Sequence, residues 1–364
     1  MSQSLSASSL RALASNSSVP VLTSVKQVRQ WRKAARDAGK SVGFVPTMGS
    51  LHQGHLDLVS RSLEKSPLTI LSIFVNPSQF SPTEDLATYP RDLPKDLSSL
   101  TTLLESHASS AFSSAHKSDS VDAPVNIDSP LVVFVPDVKE MYPNGITTEV
   151  SEQKGAFVEV KGYGDILEGA ARPNFFRGVA TVVTKLFNIV QPDYAHFGQK
   201  DIQQALLLRT MLKDLHFSAP SSSNLLIHPT TRSPPPANLA LSSRNAYLSE
   251  RELLAAPALQ QALTAGHAHW LNDPMATAQD VRRAAAGVIY RAEMMSRGLV
   301  EMEYIGIFRP GSFEVVRGDE PLGTGKDGEG WVMAGAIKVG KTRLLDNILL
   351  GVDLAGEKKI EEVE

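Results

Sequence analysis

Residues 45–55 read Val45-Pro46-Thr47-Met48-Gly49-Ser50-Leu51-His52-Gln53-Gly54-His55. The stretch joins a short apolar run over residues 41–46 to an apolar-periodic run over residues 55–63, which predicts a strand, a glycine-bearing turn and a helix. At such a junction, unpaired backbone N–H groups and the positive end of the helix dipole favour a bound phosphate. His52 and His55 are three residues apart, so on the first helical turn they can point together at one anion.

Two other interpretations of the histidine pair compete with phosphate binding. A bare His-x-x-His is usually two surface histidines beside an ordinary turn, and a zinc site needs a third ligand, which is missing nearby. The full pattern His-x-Gly-His at a strand-to-helix junction, however, is the signature of nucleotidylyl transferases. The Walker A lysine pattern and Gly-x-Gly-x-x-Gly do not occur there, which excludes a P-loop and a dinucleotide site.

The composition is that of a globular enzyme. The 364 residues are 42% hydrophobic and 21% charged, which is enough for two domains with their own cores. With 36 basic and 39 acidic residues and a formal net charge of −3, nucleic acid is disfavoured as the main partner. The lack of cysteine excludes disulfides, thiolate metal sites and a cysteine nucleophile. No apolar run reaches the about 18 residues of a membrane span.

The N-terminus leaves the location of the protein open. Residues 1–36 are rich in Ser and Ala and contain no Asp or Glu, a composition that a mitochondrial transit peptide shares. A disordered tail leading into a helix over residues 25–38 is the competing interpretation, and we prefer it. The absence of cysteine fits a reducing compartment, so we expect a cytoplasmic protein, with a mitochondrial one as the alternative.

Strand-like runs alternate with helical patterns through the first two thirds of the chain. This alternation predicts an α/β fold with a Rossmann-like, doubly wound parallel sheet. Beyond residue 247, two helical patterns (248–269 and 276–298) precede three strand-like runs, which predict a smaller C-terminal α+β domain. The predicted domains are a flexible tail over residues 1–22, a Rossmann-like domain over 23–246 with Ser- and Pro-rich insertions near 106–129 and 220–238, and the C-terminal domain over 247–364.

Three further segments carry groups suited to ligand binding. Asn76 and Gln79 follow a predicted strand, where ligands of open α/β sheets lie, although an Asn-Pro turn with a structural Gln is the competing interpretation. Lys200 begins a predicted helix, where the dipole disfavours a cation unless an anion offsets it, and Asp201 can accept from a ribose hydroxyl or cap the helix. Ser242, Ser243 and Arg244 form a candidate phosphate clamp, a pattern that is common by itself.

In this order, the four segments closely resemble the pantoate–β-alanine ligase family of the nucleotidylyl-transferase superfamily. Residues 85–91, 141–145 and 167–179 agree as well. The resemblance covers residues 40–250 in segments. It extends more loosely to the C-terminal domain, which it implies to be a lid. It implies that the carboxylate of pantoate attacks the α-phosphate of ATP, and that β-alanine then displaces AMP from pantoyl adenylate. It also implies Mg²⁺ and a homodimer.

The resemblance assigns roles residue by residue. His55 is implied as the proton donor, with His52, Lys200 and Arg244 as the other catalytic groups and Asp96 as the acidic residue near the metal. Pantoate is implied to bind Gln79 and Gln204, with Asn76 nearby. The implied ATP contacts are Pro46, Thr47, Met48, Gly49, His52, Gly54, His55, Gly198, Lys200, Asp201, Leu241, Ser242, Ser243 and Arg244.

Three departures from the family pattern limit this transfer. Asn174 and then Phe175 follow Pro173, where the family often has a histidine, and Lys95 precedes Asp96, where it tends to have a second acid. The insertions leave Thr231 only as a candidate for a further ATP contact. Two rival functions remain: another adenylyltransferase, which needs a basic pocket for a second phosphate-bearing substrate, and a non-catalytic scaffold.

Overall fold

The structure is a computed structural model that describes residues 18–82, 84–108, 127–273, 275–323 and 330–354. Most of the predicted tail over residues 1–22 and most of the predicted insertion near 106–129 lie outside these ranges. In the described part of the chain, none of the helices combines the length and apolarity that crossing a bilayer requires.

A six-stranded sheet carries the predicted nucleotide-binding loop. Its strands are β1 (Val21–Leu22), β2 (Val42–Thr47), β3 (Leu68–Ile73), β4 (Leu131–Phe134), β5 (Tyr194–Gly198) and β6 (Leu225–His228), in the order β1-β4-β3-β2-β5-β6. The pairings β1–β4, β4–β3, β3–β2 and β2–β5 are parallel. From β2 the chain order runs outward to β3 and β4 on one side and to β5 and β6 on the other, as in a doubly wound sheet, with β1 added at the edge beside β4. Ligands of such sheets bind at this reversal. The predicted fold class is confirmed.

The helices of the described residues begin in different ways, several of them at a side-chain cap. They are α1 (Val25–Asp37), α2 (Gln53–Lys65), α3 (Leu93–Ala108), α4 (Val138–Met141), α5 (Glu168–Ala171), α6 (Phe175–Val190), α7 (Ile202–Asp214), α8 (Glu250–Ala255), α9 (Ala258–Asn272) and α10 (Ala278–Met295). In α1, for example, Ser24 and Gln27 form a capping box, and Val28, Trp31 and Ala35 make one buried face.

A second, three-stranded sheet follows near the C-terminus. Its strands β7 (Val300–Phe308), β8 (Trp331–Val339) and β9 (Thr342–Leu350) are antiparallel neighbours in that order. Leu263 of α9, Val281 and Ile289 of α10, and Val300 and Ile337 of the sheet share one core. This is the predicted smaller α+β arrangement.

The chain divides into two compact units. The first comprises residues 1–197 and 207–225, and the second comprises residues 198–206 and 226–364. The domain boundary near residue 246 stays a prediction.

Three local expectations are wrong. Residues 21–22, which belong to the predicted flexible tail, form β1 and pair with β4. The helix predicted over residues 248–269 is two helices, α8 and α9, because Pro257 lacks an N–H and starts a new helix instead of continuing one. The stretch predicted as a loop over residues 220–238 contains β6. Its four residues are too short a run to stand out between Ser-rich and Pro-rich neighbours.

Candidate active site

The loop after β2 is fastened to the neighbouring strand β3 through the Thr47 side chain. Gly49 has a φ of +80°, a conformation that only glycine adopts without strain. Its N–H donates to Thr47 Oγ1 at 3.1 Å, and Thr47 Oγ1 in turn donates to the carbonyl of Ser72 on β3 at 2.7 Å. Thr47 is therefore a strand residue that fastens the loop to the neighbouring strand.

The two histidines form a reciprocal cap at the start of α2. His52 Nδ1 accepts from the N–H of Gly54 at 3.2 Å, and His55 Nδ1 accepts from the N–H of His52 at 3.4 Å. The ring centroids lie 4.1 Å apart, so the structure brings the pair together as the spacing predicts. Because each Nδ1 accepts a hydrogen bond, each neutral ring carries its hydrogen on Nε2. The helix start thus selects the tautomer in which both rings donate from Nε2.

Asp96 lies beneath the same loop. The residue is 2% exposed, and its two carboxyl oxygens accept from the N–H groups of Ser50 at 3.0 Å and Leu51 at 2.7 Å. Burial raises the pKa of this carboxyl, and the two backbone hydrogen bonds oppose that rise. These contacts favour a role in shaping the loop over metal ligation. Metal binding by Asp96 stays a prediction.

The pH dependence of stability tests the burial of Asp96. Because the pKa of Asp96 is raised, the contribution of its carboxyl group to stability is fully present below the pKa that the group has in the unfolded chain. This contribution is lost as the pH rises through the pKa of the folded protein. Asp96→Asn cannot titrate. We therefore expect the thermal midpoint of the variant to improve relative to the native protein as the pH rises from about 3 to about 7. Midpoints that follow the same pH curve in both proteins would contradict this assignment.

The 3₁₀ turn Pro77–Gln79 follows β3 and presents Gln79. Asn76, which is completely buried, donates from Nδ2 to Gln79 Oε1 at 3.0 Å and to the carbonyl of Gly178 at 3.2 Å. The Gln79 Nε2 group lies 3.2 Å from Met48 Sδ, next to the nucleotide loop. Asn76 therefore orients Gln79, and its direct contact with a substrate stays a prediction.

Gly178 of α6 packs directly against this turn. A Cβ at position 178 would lie 2.2 Å from Ser78 O and 2.6 Å from Gln79 Cα, both of them backbone atoms. We expect Gly178→Ala to lower the free energy of unfolding by about 1–3 kcal/mol through overpacking. We also expect weaker substrate binding, because the turn that carries Gln79 must move.

A matched control is Gly287→Ala, in the interior of α10. There the nearest atom that a Cβ would meet among the described residues beyond the adjacent helix backbone is Arg291 Nη1 at 3.8 Å, so this change should raise stability by about 0.5–1 kcal/mol. Thermal midpoints and Michaelis constants of both variants check the prediction. If Gly178→Ala and Gly287→Ala change the thermal midpoint and the Michaelis constants equally, the close contact at Gly178 affects neither stability nor substrate binding.

The other predicted segments belong to the second unit. Lys200 and Asp201 lie in the 3₁₀ turn Gln199–Asp201 that leads into α7, with Lys200 Nζ 3.5 Å from Asp201 Oδ1. A pocket of this unit is lined by Lys200 together with Ser242, Arg244 and, among others, Asp346. The structure thereby brings together two cations that the sequence predicts as phosphate ligands. Gln204 lies half-buried in the first turn of α7.

The turn that holds Arg244 is also built from its own sequence. Ser242 caps the 3₁₀ helix Ser243–Tyr247, and its Oγ accepts from the N–H of Arg244 at 3.3 Å. The N–H of Leu241 donates to the carbonyl of Thr231 at 3.0 Å. Thr231 thus supports the turn through its backbone, and its candidate contact with ATP stays a prediction.

Comparison with known proteins gives a family match. The family model for pantoate-beta-alanine ligase matches residues 20–349. The chain belongs to the pantoate–β-alanine ligase family. A pantothenate synthetase of Herpetosiphon aurantiacus is 39% identical over 91% of this chain and 99% of its own length. A pantoate–β-alanine ligase of Saccharomyces cerevisiae is 46% identical over 67% of this chain and 70% of its own length.

Solved structures of pantoate–β-alanine ligases share the fold. A crystal structure of pantothenate synthetase from Thermus thermophilus superposes with a TM-score of 0.68 at 34% identity, covering 91% of this chain and 99% of that one. The enzyme from Francisella tularensis, complexed with β-γ ATP and β-alanine, superposes with a TM-score of 0.62 at 26% identity, covering 92% and 99%.

In this member of the pantoate–β-alanine ligase family, two further residues support the Gln79 turn, and sequence reasoning assigned neither of them a role. Burial raises the pKa of Tyr142 to about 12, so its hydroxyl stays protonated and donates to Asn76 Oδ1 at 2.7 Å. Arg172 donates to Glu84 Oε1 at 2.6 Å and to the carbonyl of Gln79 at 3.4 Å. Both appear in the sequence only as parts of family-like motifs, and their partners are distant along the chain.

The departure at Phe175 has a structural consequence. The Arg172 guanidinium lies over the Phe175 ring, 3.7 Å from its centroid. The aromatic ring that stands where the family often has a histidine therefore packs on Arg172, an arginine that holds the Gln79 turn.

Proposed function

We propose that this chain condenses pantoate with β-alanine to form pantothenate, at the expense of ATP and by way of pantoyl adenylate. The observation that carries the proposal is the paired histidine cap at the start of α2. Both Nδ1 atoms accept backbone N–H groups, which leaves Nε2 as the donor of each neutral ring at a helix start of the kind that favours phosphate. The Francisella tularensis relative is complexed with β-γ ATP and β-alanine. We transfer these two ligands to the present chain.

The first step forms a bond between the pantoate carboxylate and the α-phosphorus of ATP and breaks the bond to the bridging oxygen, so that pyrophosphate leaves. His55 and His52 donate from Nε2 to the phosphate oxygens, where negative charge develops. Lys200 and Arg244 neutralise the departing phosphates, with Ser242 and Ser243 as hydroxyl donors. In the second step the β-alanine amine attacks the acyl carbon, loses a proton and expels AMP. Positioning and charge neutralisation account for both steps, and no protein nucleophile is needed.

The remaining contacts complete the assignment. Gln79 and Gln204 hold pantoate, because an amide offers both donors and an acceptor to a hydroxy acid. Gly198 has an ordinary φ of −83°, and among the described residues other than its chain neighbours a Cβ there would meet no atom within 4 Å. Neither the backbone nor the packing requires glycine at this position, which supports close approach of a ligand. The remaining ATP contacts are those implied by the family, including Pro46, Met48, Asp201 and Leu241.

Three further points are proposals of the same kind. Mg²⁺ enters with ATP, since nucleotide enzymes hold this ion through substrate phosphates and one or two carboxylates. The active species is a homodimer, which sedimentation of the purified protein tests. The location is the cytoplasm, with the mitochondrion as the alternative, and imaging of the tagged full chain separates the two.

The deciding experiment measures AMP and pyrophosphate formation by the purified chain with Mg-ATP, pantoate and β-alanine, leaving out each substrate in turn. AMP formation that needs all three supports the ligase. Turnover without pantoate would point to another adenylyltransferase, and the absence of any turnover would favour the non-catalytic scaffold.

A further inference from the structure

Two polar side chains lie buried next to each other on β9. Asp346 is 4% exposed and Asn347 is 3% exposed, in a strand that also buries Leu344 and Leu350 in the apolar core. Burying a carboxylate and an amide costs free energy unless hydrogen bonds compensate. Their partners show what this placement achieves.

Asn347 holds the turn that carries Lys200. Its Nδ2 donates to the carbonyl of Gln199 at 2.7 Å and to the carbonyl of Lys200 at 3.0 Å. Its Oδ1 accepts from Gln199 Nε2 at 3.1 Å. Both amide hydrogens and the amide oxygen are thus used on the turn Gln199–Asp201. The backbone of Lys200, in the first segment of this unit, is therefore fixed by the side chain of a residue in its last strand.

Asp346 holds a different segment. It accepts from Arg232 through both oxygens, at 2.6 Å from Nη1 and 2.9 Å from Nη2, a two-pronged ion pair. A third hydrogen bond, from the N–H of Asn347 at 2.8 Å, reaches Oδ1. Arg232 Nη1 also donates to the carbonyl of Asn238 at 3.3 Å. The carboxylate therefore fixes the stretch that runs from Arg232 to Asn238.

That stretch leads directly to the phosphate clamp. Arg232 forms an antiparallel bridge with Ala240, and the N–H of Leu241 donates to the carbonyl of Thr231. The residues 242–244 follow at once. Two neighbouring residues of β9 thus hold the two segments that bring Lys200 and Arg244 to one pocket.

We propose that Asp346 and Asn347 are positioning residues for the adenylation step: together they set the separation of Lys200 and Arg244 at the ATP phosphates. This inference rests on the proposed function. Apolar residues of similar volume would fill a core equally well, and replacing buried ion pairs by such residues is often neutral or stabilising. The polar pair instead fixes positions, because its hydrogen-bond partners are backbone groups and an arginine of the two segments proposed to bind phosphate.

The test uses variants of the full chain that separate packing from positioning. Asn347→Leu keeps the volume and branching of the side chain and removes its hydrogen bonds. Asp346→Asn removes the charge, and Arg232→Lys, at a less buried position, keeps the charge but loses the two-pronged contact. The control is Glu320→Gln, which breaks an ion pair with Arg309 in the same unit and does not line the pocket.

For each variant we would measure the thermal midpoint, the KM for ATP, the KM for β-alanine and the single-turnover rate of pyrophosphate release. We expect a raised KM for ATP and slower pyrophosphate release, on the order of 10²-fold for a displacement of about 1 Å. The KM for β-alanine should match that of the control. If the two residues served packing alone, the variants would have a lower thermal midpoint. The ratio of their KM for ATP to their KM for β-alanine would equal that of the control.

Folded Asn347→Leu and Arg232→Lys proteins that bind ATP and release pyrophosphate like Glu320→Gln would overturn the proposal. Should Asn347→Leu not fold, Asp346→Asn and Arg232→Lys decide the outcome by the same comparison. If the native protein and Glu320→Gln both release no pyrophosphate from ATP and pantoate, the proposed function itself fails, and this inference fails with it.

Discussion

Replacing His55 with alanine is expected to lower turnover by on the order of 10² to 10³, the usual cost of removing one donor at a developing oxyanion. The fold should survive, because losing a helix cap costs only about 0.5–2 kcal/mol. His55 Nδ1 serves the cap by accepting from the N–H of His52, whereas Nε2 carries the hydrogen that the chemistry uses. Single-turnover pyrophosphate release, measured beside the thermal midpoint, separates the two functions of the ring.

Two amide substitutions test the two ring nitrogens of His55 separately. The amide nitrogen of Gln can reach the place of Nε2, and the amide oxygen of Asn can reach the place of Nδ1. We therefore expect His55→Gln to retain more activity than His55→Asn, and His55→Asn to retain more stability. His107→Ala, at an exposed position in the last turn of α3, is the control and should match the native protein. Normal turnover by folded His55→Asn would show that donation from Nε2 is not required.

The sequence predicts the fold class and the strand, turn and helix around residues 45–55 correctly because their signals are local. The apolar run of β2, the glycine at φ +80° and the histidine spacing all lie between residues 42 and 55, within about one strand and one helical turn of each other in sequence. Local signals also predict α10, whose capping box at Thr277 and Asp280 marks its start.

For residues whose hydrogen-bond partners are distant in the sequence, local patterns could not predict those contacts. Asn76 reads as a substrate ligand from its position after a strand, yet it is enclosed and bonded to Gly178, 102 residues later. Asp96 reads as a metal ligand by resemblance, whereas both of its oxygens face backbone N–H groups 45 and 46 residues earlier. A sequence pattern states which chemistry a side chain can perform, but its tertiary partners decide whether that chemistry faces the ligand or the protein.

Asp346 and Asn347 show the same limit more strongly. Their partners lie 114 and 148 residues away in the chain. In the sequence, the pair only interrupts an apolar strand, and nothing near it indicates a ligand. Burial together with complete hydrogen bonding is the signal, and it exists only in the folded protein.

Lys200→Met is expected to slow pyrophosphate release by on the order of 10² to 10³, since a preorganised charge is lost from the departing phosphates. Aminolysis of pantoyl adenylate supplied to the variant should be unaffected, because pyrophosphate has already left. Without ATP, the same substitution should leave stability unchanged or raise it by about 0.3–1 kcal/mol, since a cation at the start of a helix opposes the dipole. The exposed contact with Asp201 at 3.5 Å offsets little of this cost.

Lys213→Met supplies the opposite control on the same helix. Lys213 lies in the last turn of α7, where a cation favours the dipole, so its loss should lower stability slightly and leave turnover intact. A lysine at a helix start, where its charge opposes the dipole, is explained by an anion that binds there. If Lys200→Met and Lys213→Met instead lower stability equally and both keep normal pyrophosphate release, Lys200 is a surface residue and the phosphate assignment of its segment is wrong.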